Sequence, residues 1–189
     1  MKNSTRKEEI ISVASRLFNE KGFQAVSMRD IATAMNIKAA SLYNHISGKQ
    51  QILSEIILEV AKAFTIGMEK VCAKDISAIE KIKMVIEMHI AITVSHSEAL
   101  AALNNDWMHL EGPDLNAVVK MREEYEENFR SIIKQGIHAG EISPNHPEVI
   151  LFSILSTLRT LYLWNQKRGK LDVNILKKDM VSVLIKGIV

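Results

Sequence analysis

Apolar side chains recur at helical spacing along almost the whole chain. The first segment shows the pattern, with one apolar face that comprises Ile10, Ala14, Leu17 and Phe18. Such spacing is typical of an amphipathic helix, and no useful stretch alternates strictly between apolar and polar residues. The pattern predicts an all-α protein with about nine helices, over residues 5–20, 27–35, 38–46, 49–71, 77–95, 97–110, 113–139, 147–167 and 173–189.

Breaks between these segments divide the chain into a small head and a larger body. Gly22 ends the first segment, and a glycine in the left-handed conformation is a common stop signal for a helix. Ser47 and Gly48 interrupt the pattern again before the long fourth segment. We therefore expect one domain over residues 1–48 and a second over residues 49–189.

Composition and charge agree with a helical chain that has a basic head. Only 3 prolines and 8 glycines punctuate the chain, which favours helices over sheet. The net charge is +2, but residues 1–50 hold eight basic and four acidic side chains, which leaves +4 there and −2 on the remainder. A basic unit on a mildly acidic body fits a head that binds a polyanion.

The sequence favours a cytoplasmic protein. The single cysteine, Cys72, excludes an internal disulfide and a zinc knuckle, and it suits a reducing compartment. The N-terminus is polar and lacks the apolar core of a signal peptide. The longest apolar stretch, around residues 82–94, is interrupted by Glu87 and His89, so we expect no membrane segment.

Residues 27–49, SMRDIATAMNIKAASLYNHISGK, have the pattern of two short helices joined by a tight turn. Ser27 with Asp30 resembles a capping box, and Asn36 occupies a turn position that tolerates positive φ. This helix-turn-helix geometry lays the second helix into the DNA major groove. The outward face of that helix comprises Ala39, Ala40, Ser41, Tyr43 and Asn44.

Phosphate contacts are expected around the same helix. Tyr43, His45 and Lys49 carry hydroxyl, imidazole and ammonium groups that can hold phosphate oxygens. The Ser27 hydroxyl and the free amides of its helix form another phosphate site. The competing interpretations are a boundary aromatic for Tyr43 and an ordinary helix-terminal histidine for His45.

This stretch resembles the DNA-binding domain of the tetracycline-repressor family, specifically over about residues 8–53 and only in architecture beyond them. The resemblance implies that Arg29 and the first turn of the second helix read bases, with Arg29 as a candidate for a bidentate contact to guanine. An exposed helix charge is the alternative for Arg29. The matching residues are Ala14, Phe18, Gly22, Phe23, Arg29, Ile31, Ala32, Ile37, Leu42, Tyr43, His45, Ile46 and Lys49.

Three positions depart from the family pattern. Asn36 replaces the turn glycine, Lys38 replaces the serine that caps the second helix, and Ala40 replaces a frequent glycine. We expect Lys38 to contribute a phosphate contact in exchange for the lost cap. These departures bear on which operator is read, not on the family.

The body carries no motif for catalysis, a cofactor or a metal. It has no glycine-rich phosphate loop, no HExxH motif and no nucleophile elbow, so we predict that the protein is not an enzyme and has no cofactor. His89 and His96 share a helix face, but a metal site would need a third histidine or converging carboxylates. We expect satisfied core or boundary histidines.

The resemblance implies a ligand cavity within the body, because helices four to eight enclose one in the tetracycline-repressor family. Methionine and aromatic side chains suit an adaptable apolar pocket, although plain core packing is an alternative for each of them. Arg122, Arg130 and Arg159 are candidates to meet an anionic head group, or else they form ion pairs. The candidate lining residues are Met88, Trp107, Met108, Tyr125, Phe129 and Phe152.

The C-terminal half also resembles the subgroup of this family that senses coenzyme A thioesters of lipids or sterols. The similarity runs from Trp107 through Tyr125, Phe129 and Gly136 to residues 161–169. An aromatic drug or another apolar effector is equally compatible with these side chains.

The last two helices are strongly apolar, and the resemblance implies that they pair across a two-fold axis. A two-fold homodimer would require an inverted-repeat operator. The predicted function is a repressor released from its operator by a small apolar or amphipathic effector; the alternatives are a helical protein-interaction module without a DNA role and a small helical enzyme. The candidate interface residues are Leu151, Leu155, Leu158, Tyr162, Leu176, Met180, Val183 and Leu184.

Overall fold

A computed structural model of the chain describes residues 5–167 and 172–189, except for the side chains of residues 165–167. The described residues contain only helices and turns, which confirms the predicted all-α class. The helices are α1 (Arg6–Lys21), α2 (Met28–Ala34), α3 (Ala39–Leu42), α4 (Lys49–Cys72), α5 (Ala78–Ser95), α6 (Ser97–Asn105), α7 (Gly112–His138), α8 (Pro147–Lys167) and α9 (Val173–Lys186), with a 3₁₀ turn at Trp107–His109.

Local capping chemistry fixes the ends of several helices. Thr5 begins α1 with a complete capping box, in which its hydroxyl accepts from the Glu8 amide and the Glu8 carboxylate accepts from the Thr5 amide. Gly22 ends α1 at φ +81° and ψ 149°. The predicted positive φ is present there, but the backbone is extended in ψ and is not left-handed helical.

The chain forms two compact units, and each of them is discontinuous in sequence. Among the described residues, unit 1 comprises residues 5–61 and 98–119, and unit 2 comprises residues 62–97, 120–167 and 172–189. The domain boundary expected at residue 48 stays a prediction. Unit 1 is discontinuous because residues 98–119 complete the apolar core of the N-terminal helices, and helical spacing does not encode that packing.

The core of unit 1 joins α1–α4 with side chains from the 98–119 segment. Ala102, Leu110 and Val118 are buried in one cluster with Phe18 and Leu42. Each of these side chains removes apolar surface from water, which is the main favourable contribution to folding. The small helix-turn-helix thus packs against a segment that lies about 60 residues further along the chain.

The core of unit 2 is formed by α5, α7, α8 and α9 with the second half of α4. Phe129, Ile82 and Leu155 are among its fully or almost fully buried side chains. Gly136 allows a close approach within this unit, because a Cβ atom there would lie 2.5 Å from Ile142 Cδ1 and 2.8 Å from Ala78 Cβ. A larger residue at this position would force the two neighbours apart.

Two helices end four or five residues before the predicted position. The second helix of the helix-turn-helix was expected to reach about residue 46, but α3 ends at Leu42 and turn-type bonds connect the His45 and Ile46 amides to the Leu42 carbonyl. The sixth was expected to reach residue 110, but α6 ends at Asn105 and continues as the 3₁₀ turn. In both places the chain turns, and the tertiary packing of the buried Ile46 and Leu110 decides its path.

Candidate functional site

The start of α2 is fixed by a capping box between Ser27 and Asp30. The Asp30 amide donates to Ser27 Oγ at 3.2 Å, and the Ser27 amide donates to Asp30 Oδ2 at 2.8 Å. The Ser27 hydroxyl also donates to Asp30 Oδ2 at 2.5 Å, and these bonds lower the pKa of the Asp30 carboxyl. The predicted box is confirmed, but it occupies the hydroxyl proton that a phosphate contact by Ser27 would need.

A tight turn connects α2 to α3. Asn36 adopts φ +54°, which asparagine tolerates better than most residues. The Ile37 amide donates to the Ala32 carbonyl at 3.0 Å, so the turn closes on the end of α2. Lys38 occupies the N-cap of α3 without a side-chain hydrogen bond, which agrees with the loss of the capping serine.

The outer face of the helix-turn-helix exposes most of the predicted DNA contacts. Leu42 and Ile46 point inward and are buried, which turns the remaining side chains of residues 38–45 outward. Ala39 is half-buried. The exposed residues are Arg29, Lys38, Ala40, Ser41, Tyr43, Asn44 and His45. Their roles in DNA binding stay predictions.

Lys49 is placed differently from the expected phosphate contact. Its Nζ donates to the backbone carbonyl oxygens of Phe23 at 2.8 Å, Gln24 at 3.4 Å and Val26 at 2.9 Å. The ammonium also lies 4.2 Å from the centroid of the Phe23 ring. Because lysine has three donors and these three carbonyl oxygens lie inside unit 1, the contacts favour an internal role for Lys49 over a phosphate contact, which stays a prediction.

The candidate effector residues are divided between the two units, and their role in binding an effector stays a prediction. Met88, Tyr125 and Phe129 belong to unit 2, whereas Trp107 and Met108 belong to unit 1. Met108 is exposed, and the Phe152 ring is 70% exposed, so neither lines an interior cavity of the single chain. Phe152 follows the apolar residues Ile150 and Leu151 in the sequence, but it lies on a face of α8 that points away from the core.

A buried polar pair lies in unit 2. His89 Nε2 and the Tyr125 hydroxyl are 2.7 Å apart, and the Phe64 ring packs against His89 with 4.6 Å between centroids. Burial and then the positive charge of Arg159 lower the pKa of His89 to about 3, while burial raises the pKa of Tyr125. His89 is thus a satisfied core histidine, as predicted, but its partner is distant in sequence and was not predicted.

The three arginines proposed for an anionic head group all contact carboxylates. Arg159 Nη2 donates to Glu126 Oε1 at 2.6 Å, and Arg122 Nε lies 3.5 Å from the same oxygen. Arg130 pairs with Glu127 and Glu148. These contacts favour the ion-pair interpretation over a free anion site.

The described part of unit 2 contains a surface cleft of about 230 Å³. It lies between α4 and α7, and three of its side chains are glutamates. Drug-sized ligands occupy pockets of roughly 300–1,000 Å³, so this cleft is smaller than a usual effector site. Its lining residues are Thr65, Met68, Glu69, Glu124, Tyr125, Glu127 and Asn128.

The candidate dimer residues divide between the core and the surface. Five of them are buried inside unit 2 of a single chain: Leu151, Leu155, Leu158, Tyr162 and Leu176. Met180 and Leu184 are half-buried, and Val183 is 68% exposed. The regular stripe seen in the sequence is therefore the inward face, and the apolar residues left outside on α8 and α9 are Val149, Phe152, Leu163, Trp164, Ile175 and Val183.

Two further properties concern residues 5–167 and 172–189. They contain no group of three or more His, Cys, Asp or Glu side chains arranged to hold a metal ion. None of their helices combines the length and the apolar character needed to cross a bilayer.

Comparison with known proteins gives matches over nearly the whole chain. A family profile described as bacterial regulatory proteins, tetR family, matches residues 10–56, and one described as tetracyclin repressor-like, C-terminal domain, matches residues 75–188. The transcriptional repressor KstR2 of Rhodococcus jostii is 24% identical over 188 residues, which cover 98% of this chain and 92% of the relative.

Solved structures show the same fold. The ketosteroid transcriptional regulator KstR2 of Mycobacterium tuberculosis superimposes with a TM-score of 0.91 at 19% identity, covering 100% of this chain and 96% of that one. AibR in complex with isovaleryl coenzyme A and operator DNA gives a TM-score of 0.82 at 24% identity, covering 96% of this chain and 98% of that one.

These matches agree with the predicted regulatory, non-enzymatic function, and none supports an interaction module without a DNA role. The C-terminal profile alone spans more than half of the chain. The protein therefore belongs to the tetracycline-repressor family of DNA-binding transcriptional regulators.

Proposed function

We propose that this protein is a transcriptional repressor that binds an inverted-repeat operator through α2 and α3 and leaves it when a small effector binds. The observation that carries the proposal is the capped α2, tight turn and outward polar face of residues 38–45, within the segment that matches the family's DNA-binding profile. Because its proposed target is operator DNA, we expect the protein to act in the cytoplasm.

Fluorescence anisotropy with DNA from upstream of the protein's own gene, beside a scrambled duplex, tests DNA reading. We expect the native duplex to bind about a thousandfold more tightly, with strong salt dependence. Arg29→Ala should weaken specific binding by about tenfold or more and relax the preference at one base pair. The proposal would be contradicted if the native and scrambled duplexes bound equally weakly and selection from a random library gave no duplex that binds more tightly.

The apolar residues left exposed on α8 and α9 support a homodimer. Val183 and Phe152 would be buried by a second copy of the same face, and a two-fold dimer presents two recognition helices to two half-sites. Val183→Glu should shift the protein to a monomer in sedimentation velocity and weaken operator binding. Ile66→Glu, at an exposed apolar position on α4, is the matched control and should leave the oligomer unchanged.

An apolar or amphipathic effector remains our proposal, with a lipid-type acyl coenzyme A as one class. The support for this proposal is the similarity to AibR. The side chains of unit 2 add no support, because the three arginines contact carboxylates and the cleft between α4 and α7 is small. Isovaleryl coenzyme A is the first probe, with free coenzyme A as control. Release of operator by the thioester alone supports this class; no release by a panel of acyl chain lengths would exclude it. Any effector must bind the DNA-free state more tightly than the DNA-bound state.

A further inference from the structure

The loop between α1 and α2, residues 22–27, leads directly into the cap of the DNA-reading helices. Within it the Val26 amide makes one long bond to the Phe23 carbonyl, at 3.4 Å. The loop therefore has little regular hydrogen bonding of its own. Phe23 and Val26 are nevertheless buried, so their backbone carbonyl groups need partners.

Lys49, in the first turn of α4, supplies those partners. One ammonium group meets three carbonyl oxygens of residues 23–26, and a charged donor makes stronger hydrogen bonds than a neutral one. The same ammonium lies over the Phe23 ring, an arrangement that adds a cation–π attraction. The loop is thus tied to α4 at a single side chain.

The 106–111 segment contacts the same loop. The His109 ring stacks on the Phe23 ring, with 5.7 Å between centroids and an interplanar angle of 22°. The Asp106 carboxylate accepts a hydrogen bond from the Phe23 amide. Gln50, the neighbour of Lys49, donates to the His109 carbonyl at 2.9 Å and to Glu111 Oε1 at 3.2 Å.

These contacts form a closed set within unit 1. The loop is bound to α4, α4 is bound to the 106–111 segment, and that segment is bound to the loop. We propose that Lys49 and the 106–111 segment clamp the 22–27 loop, so that Lys49 is a positioning residue for operator binding and not a phosphate contact. Displacement of the 106–111 segment then lowers operator affinity without altering any DNA-contacting side chain. This inference rests on the proposed DNA-binding function.

The salt dependence of operator binding separates a positioning residue from a phosphate contact. A lysine that neutralises a phosphate contributes about one unit to the slope of log K against log salt. Lys49→Met should weaken operator binding by about tenfold or more and leave the slope unchanged. Lys38→Met, at the exposed and uncapped start of α3, is the matched control and should lower the slope by about one. If Lys49→Met reduced the magnitude of the slope of log K against log salt by about one, the proposal would be overturned.

Amide exchange in the DNA-free protein tests the other half of the clamp. His109→Ala should speed exchange at the Phe23 and Val26 amides by about tenfold or more and weaken operator binding, with unit 2 unchanged. His138→Ala, at an exposed position of α7, should change neither quantity. If His109→Ala leaves both unchanged, the 106–111 segment is no part of a clamp.

The two proposals can fail separately. If the wild-type protein binds no operator, the proposed function fails, and the exchange rates of the loop amides in His109→Ala still decide whether the clamp exists. If Lys49→Met does not fold, Gln50→Ala replaces it, since that change removes the bond to the 106–111 segment while Lys49 stays in place.

Discussion

Unit 1 exposes the polar side chains that are predicted to contact DNA, whereas unit 2 holds a polar pair inside its core. In unit 1, Arg29, Tyr43 and Asn44 are exposed on a small, capped scaffold. In unit 2, His89 and Tyr125 bond to each other inside an apolar core. Exposed side chains are available to a charged partner. A buried pair is not, and its effect is on how the helices of the core pack. Substitution of the exposed residues should therefore change DNA binding, and substitution of the buried pair should change stability.

This difference determines which features of each unit can be recognised from the sequence. Reading DNA requires a fixed local backbone, so unit 1 carries caps and a turn residue at short spacing. The polar pair of unit 2 joins residues 36 positions apart, with Arg159 contributing its charge from α8. No pattern of residues at short spacing predicts such a pair.

The largest expected effect is in the core of unit 2. Phe129 is 0% exposed, and Phe129→Ala should lower the free energy of unfolding by about 3–5 kcal/mol because it leaves a cavity. Urea unfolding measures this change. Ile66→Ala, at an exposed apolar position of α4, is the control and should change the stability by less than about 0.5 kcal/mol. Equal losses for the two variants would contradict the placement of these side chains.

Acidification tests the buried pair. The pKa of His89 lies at about 3 in the folded chain and at its ordinary value of 6.5 in the unfolded chain, so folding favours the neutral ring. The stability from this group is fully present above pH 6.5 and is lost as the pH falls from 6.5 towards 3, by at most about 1.4 kcal/mol per pH unit.

His89→Gln removes the titrating ring but keeps a polar atom for the Tyr125 hydroxyl. The difference in unfolding free energy between wild type and this variant should therefore shrink steadily below pH 6.5. His138→Gln is the exposed control. A pH-independent difference for His89→Gln would mean that His89 titrates alike in both states.

The smallest expected effect is at the cap of α2. Ser27→Ala removes the hydroxyl that accepts from the Asp30 amide and should lower stability by about 1 kcal/mol, with weaker operator binding. Thermal unfolding and anisotropy measure the two changes. Ser12→Ala, on the exposed face of α1, should alter both very little. If operator binding is unaffected by Ser27→Ala, the cap is not needed to hold α2 for DNA.

Local signals predicted much of the fold. The bounds of α8 are those expected, Pro147–Lys167, and the Ser27–Asp30 box and the positive φ of Asn36 are confirmed. Each of these features is decided by residues within a few positions of one another. The early end of α3 was not predicted, because a four-residue helix is held by the burial of Leu42 more than by propensity.

Features that depend on distant residues were not predictable in this way. The carbonyl groups around Lys49 lie 23 to 26 positions earlier in the chain, so its charge alone suggested a phosphate. The outward direction of Phe152 depends on which face of α8 meets the core. A helix with apolar residues on more than one face gives no local indication of that choice.

The discontinuous make-up of unit 1 matters to anyone who would exchange DNA specificities between regulators. A head cut at residue 48 or 61 would leave behind Ala102, Leu110 and Val118, whose side chains belong to its core. A hybrid protein would then set a foreign head against an unmatched 98–119 segment. Successful chimeras should transplant both stretches together, and recombination during evolution should meet the same constraint.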